Sequence, residues 1–179
     1  GVRYANGQGV AKDVDKAVRL FQSLADPKKN NSDGKGFAPA QFRLGLIYEG
    51  GEGFPQDFKL AFKWYQLAAM QGHTHARFRL GVMYEVGKGV SQDFGFAFNW
   101  YKLASEQGHT HARFNLGMMY VKGQGVAKNL AKAFSLFKSA ADPKNDNYGK
   151  NGFAPAQFNL GVIYLNGKGV DQSFSIAAK

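Results

Sequence analysis

Ala40-Gln41-Phe42-Arg43-Leu44-Gly45-Leu46-Ile47-Tyr48 runs into Gly51-Glu52-Gly53, then Gln56-Asp57-Phe58, then Ala61-Phe62-Lys63-Trp64-Tyr65-Gln66-Leu67-Ala68. Apolar residues at three- and four-residue spacings on both sides of a glycine pair give two helical stripes joined by a tight turn. The stretch reads as an antiparallel helix pair, and it is repeated. Leu44-Gly45-x-x-Tyr48 returns as Leu80-Gly81-x-x-Tyr84, Leu116-Gly117-x-x-Tyr120 and Leu160-Gly161-x-x-Tyr164, with Gly1-x-x-Tyr4 as a shortened copy. The tyrosines lie 44, 36, 36 and 44 residues apart. Each motif is followed by a Gly-x-Gly turn, at Gly7/Gly9, Gly51/Gly53, Gly87/Gly89, Gly123/Gly125 and Gly167/Gly169.

The two longer spacings come from Asp-Pro-led inserts rich in Asn and Gly, residues 26–36 and 142–152, which cannot continue a helix. Residues 1–63 and 117–179 share 35 identities in 63 positions, so three units form a larger repeat. A helix pair cannot bury its apolar face alone, so neighbouring pairs must stack. The expected organisation is a single repeat domain with units 1–37, 38–73, 74–109, 110–153 and 154–179, the first and last partial. With no polar capping unit at either end, the chain is expected to be part of a longer array.

Composition agrees with a packed helical protein. The 179 residues are 44% hydrophobic and 15% aromatic, too apolar for a disordered chain, and no run reaches the roughly 18 apolar residues of a membrane span. The absence of Cys excludes disulfides, thiolate metal sites and Cys nucleophiles. It leaves the compartment open between cytoplasm, periplasm and exterior. Of the net charge of +10, five charges fall in residues 109–141, as Arg113, Lys122, Lys128, Lys132 and Lys138 without any Asp or Glu.

The pattern over residues 40–68 closely resembles the Sel1-like repeat, a relative of the tetratricopeptide repeats, and the resemblance covers the chain apart from the two inserts. It implies an all-α, right-handed α-solenoid of stacked antiparallel helix pairs. It also implies a non-enzymatic adaptor or scaffold for proteins, common in bacteria and without a cofactor. Asn129 and Ser173 stand where Asp13, Asp57 and Asp93 occur, and Leu136-Phe137 replaces Trp-Tyr, both modest departures. The lack of Cys sets the chain apart from the cysteine-rich members linked to β-lactam binding.

By the same resemblance the first helix of each pair lines a concave groove, three before, one after and four after the motif glycine. The register gives Phe42, Leu46 and Glu49; Phe78, Val82 and Glu85; Phe114, Met118 and Val121; Phe158, Val162 and Leu165. Arg43, Arg79, Asn115 and Asn159 follow as rim contacts. One Phe per unit suits an apolar peptide or protein partner, while an aromatic at helical spacing is equally read as inter-helix packing. The motif tyrosines, Trp64 and Trp100 read as core.

Other chemistry is thinly represented. The four histidines stand in two Gly-His-Thr-His-Ala copies, His73/His75 and His109/His111, which read first as exposed helix-entry residues and secondarily as metal ligands. The Gly-x-Gly turns lack the third glycine and preceding strand of a nucleotide fingerprint. Lys28 and Lys144 occupy the place where a calcium loop needs an oxygen ligand. No nucleophile with its base is present. Three function classes follow: a protein-binding scaffold, a binder of nucleic acid or an anionic surface through residues 109–141, and a regulator of an enzyme or binder of cell-wall fragments. Self-association through uncapped ends is compatible with the first.

Overall fold

The computed structural model describes residues 2, 13–26, 34–51, 53–145 and 152–166. The motif at Gly1/Tyr4, the turns at Gly7/Gly9 and Gly167/Gly169, Ser173 and most of both inserts, Lys28 included, lie outside them. Among the described residues there are eight α-helices and no strand. The chain divides into two compact units, residues 1–92 and 93–179. The first holds α1 (Val14–Ala25), α2 (Ala38–Gly50), α3 (Phe58–Met70) and α4 (Thr74–Val86). The second holds α5 (Phe94–Glu106), α6 (Thr110–Lys122), α7 (Leu130–Ala141), a 3-10 turn (Pro143–Asn145) and α8 (Ala154–Asn166). Within each unit every helix packs on the next one in sequence, the arrangement of an α-solenoid.

The seam between paired helices is built on one contact. A Cβ placed on Gly45 would stand 2.4 Å from Cε1 of Tyr65, and one on Gly117 would stand 2.6 Å from Cε1 of Phe137. The motif glycine is therefore the seat of an aromatic ring from the second helix, and both rings are fully buried. Leu44, Leu80 and Leu116, beside the glycines, are buried with them, as are the small residues Ala61, Ala97 and Ala133 of the second helices. The motif tyrosines divide: Tyr48 is buried, whereas Tyr84, Tyr120 and Tyr164 are half-buried, each with its ring edge-on to Phe62, Phe98 and Phe134 respectively. Trp64 and Trp100 are also half-buried, so the rings deepest in the seams are Tyr65, Tyr101 and Phe137.

The turn residues satisfy the helix ends they separate. Gly87, at φ 72°, closes α4 by donating its N–H to Met83 O at 2.9 Å, and Gly89, at φ 73°, leaves no room for a side chain against Phe58 O. Both positions need backbone that a side chain disfavours or an approach it would block. Gln56 and Gln92 donate their side-chain amides to Glu49 O and Glu85 O at the ends of α2 and α4. The next residue caps the following helix: Asp57 accepts from Leu60 N, Asp93 from Phe96 N and Asp13 from Lys16 N. Asn129 does the same for Lys132 N at 2.9 Å, so the Asp-to-Asn departure keeps its function.

In the first unit the seam carries a polar lock. Tyr65 donates its hydroxyl to Glu49 Oε2, and Arg79 Nη1 lies 3.6 Å from Glu49 Oε1. Burial, reinforced by Glu49, holds the Tyr65 phenol far above its ordinary range, so it remains a donor. The partners vary together along the sequence. Positions sixteen apart read Glu49 with Tyr65 and Glu85 with Tyr101, but Val121 with Phe137 and Ala5 with Phe21. Where the ring has no hydroxyl, the carboxylate is gone too, because a buried acceptor without its donor is costly.

Two outcomes are expected from denaturant unfolding. Gly117→Ala overpacks the seam and costs about 1–3 kcal/mol, and adding Phe137→Leu returns part of that loss. Tyr65→Phe costs about 1–2 kcal/mol by stranding Glu49, whereas Tyr65→Phe with Glu49→Val, which copies the Phe137 and Val121 pair, recovers most of it.

Candidate partner-binding surface

The lining residues fall into three environments. Phe42 is half-buried, with its ring centroid 5.7 Å from Tyr65 and stacked on His73 at 4.5 Å. Phe114 lies 5.5 Å from Phe137 and 5.4 Å from Phe153, and Met118 and Val121 pack beside it against the same buried cluster. Leu46, Phe78 and Val82 are half-buried. Phe158 is 72% exposed, with Val162 at 39% and Leu165 at 44% one and two turns along α8. The same register thus runs from rings seated between successive helix pairs to an open apolar stripe.

The polar positions differ as strongly. Arg43 is exposed. Glu49 is held by Tyr65 and Arg79, which makes it a packing node of α2, α3 and α4, and Arg79 shares that role. Asn159 turns back on its own helix, donating from Nδ2 to Pro155 O at 2.8 Å. Asn115 and Glu85 are half-buried. Sequence spacing alone does not separate such positions, although the Glu/Tyr covariation sixteen residues apart carries the signal for Glu49.

The histidines stand at helix entries as the pattern implies, but they are not all exposed: His109 is buried and His73 and His111 are half-buried. His73 Nδ1 accepts from Ala76 N at 3.3 Å and His109 Nδ1 from Ala112 N at 3.2 Å, so they are the N-caps of α4 and α6. The rings of His73 and His75 are 6.1 Å apart and those of His109 and His111 5.9 Å apart. Among the described residues no three His, Cys, Asp or Glu side chains gather into a metal-holding group. The signal in the sequence was the residue just before the helix with its third successor's amide in reach, the position that Asp holds in the second helices.

The basic segment is not one patch. Lys122, Lys128, Lys132 and Lys138 are exposed, but Arg113 is half-buried and directs Nη1 toward Ser139 O at 3.4 Å. Lys132 Nζ sits 5.4 Å from the Tyr120 ring centroid, on the wall of a cleft of about 320 Å³ between α5, α6 and α7. Leu116, Tyr120 and Leu136 line this cleft together with Lys102, Ser105, Glu106, Lys132 and Ser135. Lys102 Nζ lies 4.0 Å from Glu106 Oε1, so the lining carries one ion pair and, against Tyr120, the ammonium of Lys132. No helix among the described residues is long and apolar enough to cross a membrane.

Comparison with known proteins matches these features. The Sel1 repeat family model matches residues 1–26, 38–73, 74–109, 110–142 and 154–179. A protective antigen present in uropathogenic Escherichia coli strains, which displays an SLR fold, is similar at 33% identity and TM-score 0.85 over 98% of this chain and 34% of that one. A Sel1 repeat protein from Oxalobacter formigenes is similar at 31% identity and TM-score 0.80 over 98% of this chain and 65% of that one. The chain therefore spans about a third of the first and just under two thirds of the second. Cysteine rich protein B of Helicobacter pylori shares the fold at 23% identity and TM-score 0.51, over 74% of this chain and 89% of that one. None of the curated proteins matches. Five repeat matches, separated only by residues 27–37 and 143–153, and helix pairs seated ring upon glycine make this chain a member of the Sel1 repeat family.

Proposed function

We propose that the chain is a non-catalytic scaffold that holds a protein partner along its first helices. Sel1 repeats form a family of protein-interaction scaffolds, which supports the class of function. The observation that carries the surface is the register of α2 and α4, where Phe42 with Leu46 and Phe78 with Val82 stand one turn apart as half-buried apolar positions. The equivalent positions of α6, Phe114, Met118 and Val121, are covered by rings and apolar side chains of the following helices. The register is one that receives an aromatic-led apolar segment, so an amphipathic helix or an extended apolar peptide is the matching partner.

A second reading rests on the cleft beside Lys102 and Lys132 and on the exposed lysines of residues 109–141. These groups favour an acidic surface or nucleic acid, and contacts of that kind weaken steeply with salt.

The two readings separate by site-directed cross-linking in native extract. A photoreactive residue at position 158 is expected to give one protein adduct at both low and high salt, while one at position 132 gives none that survives salt. Because Phe114 packs inward against Phe137 and Phe153, Phe114→Asp is expected to destabilise the seam. Phe78→Asp and Val82→Asp, at half-buried positions, are each expected to weaken the adduct while far-ultraviolet circular dichroism remains helical. Adducts formed only at position 132, rich in nucleic acid and released by salt, overturn the first reading. Adducts of the chain with itself at position 158 identify the partner as a second copy.

A further inference from the structure

The second helices start on carboxylates or an amide, but α4 starts on an imidazole. His73 can accept from Ala76 N only through an unprotonated Nδ1, so the cap belongs to the neutral ring. That ring is half-buried and stacked on Phe42 of α2. The charged and titratable groups around it are His75 on α4 itself and Arg43 on α2. Residues 58–70 of α3 contain no carboxylate, and the Lys59 and Lys63 of that helix lie in its first half, at the far end from His73. The single carboxylates of α2 and α4, Glu49 and Glu85, stand at the C-terminal ends of their helices, and Glu49 is taken by Tyr65 and Arg79. A proton on His73 thus meets the positive end of a helix dipole, and His75 and Arg43 both oppose it.

We propose that His73 is an acid-sensitive clasp, which when neutral caps α4 and seats against Phe42, and when protonated releases the first turn of α4 and the ring that α2 presents toward a partner. The position is specific to the short repeats. After the long inserts the same place is held by Phe37 and Phe153, which do not titrate, whereas His109 caps α6 as His73 caps α4. The second helices are capped instead by side-chain oxygens, those of Asp13, Asp57, Asp93 and Asn129.

The direction of the pH effect follows from where each state binds the proton. Burial first, then His75 and Arg43, hold His73 below the ordinary 6.5, against a smaller opposing effect of its own backbone. The unfolded chain therefore takes up this proton at higher pH than the folded chain does. The stabilisation is whole above 6.5 and is lost as the pH falls through the lowered folded value.

The test is amide hydrogen exchange of the whole 179-residue chain at about pH 7.5 and about pH 5.0, corrected for the intrinsic pH dependence of exchange. Ala76 and Arg77 are read in wild type, His73→Asn, His73→Ala and His75→Gln. In wild type their protection is expected to drop about fivefold more than in His73→Asn, whose amide caps at both pH values, the factor that a lost cap represents. His73→Ala is expected to show the low protection at both, and His75→Gln to keep the drop. The same pH dependence in wild type and His73→Asn overturns the proposal. Should His73→Ala fail to fold, nuclear magnetic resonance titration of His73 in wild type decides, because an imidazole titrating at or above 6.5 in the folded chain contradicts the clasp.

Discussion

A ring lying where a Cβ would be is the contact on which the rest of this chain depends. The helices here are only twelve or thirteen residues long, too short to be stable alone, so each must gain its stability by close approach to a neighbour. Glycine at positions 45 and 117 lets the second helix bring Tyr65 or Phe137 against the first helix's backbone, and the flanking Leu44 and Leu116 close the gap. Everything outside that seam is arranged to hold the two helices at that distance. The Gly-x-Gly turn, the Gln that meets the end of the first helix and the Asp or Asn that starts the second are its fixings.

The architecture was legible because the features that specify it are local and repeated. Glycine pairs, Gln-Asp steps and apolar residues three and four apart each act within one turn of helix, so their meaning survives without knowledge of the distant chain. The surface was less legible because its residues take their roles from contacts between helices. Glu49 stands at a lining position in the register but is a partner of Tyr65 and Arg79. Trp64 and Trp100, which look like core anchors, are half-buried, and the neighbouring Tyr65 and Tyr101 go inside. The His-Thr-His copies read as helix-entry residues before ligands, and with Nδ1 accepting the capping N–H the neutral rings of His73 and His109 carry their proton on Nε2.

Within this frame, binding is a continuation of folding. Phe42 and Phe114 spend one side of each ring on His73 and Phe153, the residues that open the next first helix in each case. The face that stacks repeats is thus also the face on which the proposed partner would seat its apolar side chains. Groove and core are two occupancies of one register. The basic residues lie on other ground: Lys132 against Tyr120 and Arg113 toward the end of α7 have local roles, which leaves the remaining lysines as a dispersed charge. Dispersed charge of one sign favours solubility and speeds encounter with acidic partners more than it specifies one.

The central claim, that a partner lies along the first helices, is tested most directly by a hydrogen-exchange footprint of the chain bound to the protein that it captures. The account predicts that binding slows exchange along α8 and in the first helices around Phe42, Phe78 and Phe114, and leaves α3, α5 and α7 unchanged. Protection confined to α5 and α7, centred on Lys102, Lys128 and Lys132, would contradict it and place recognition on the charged face.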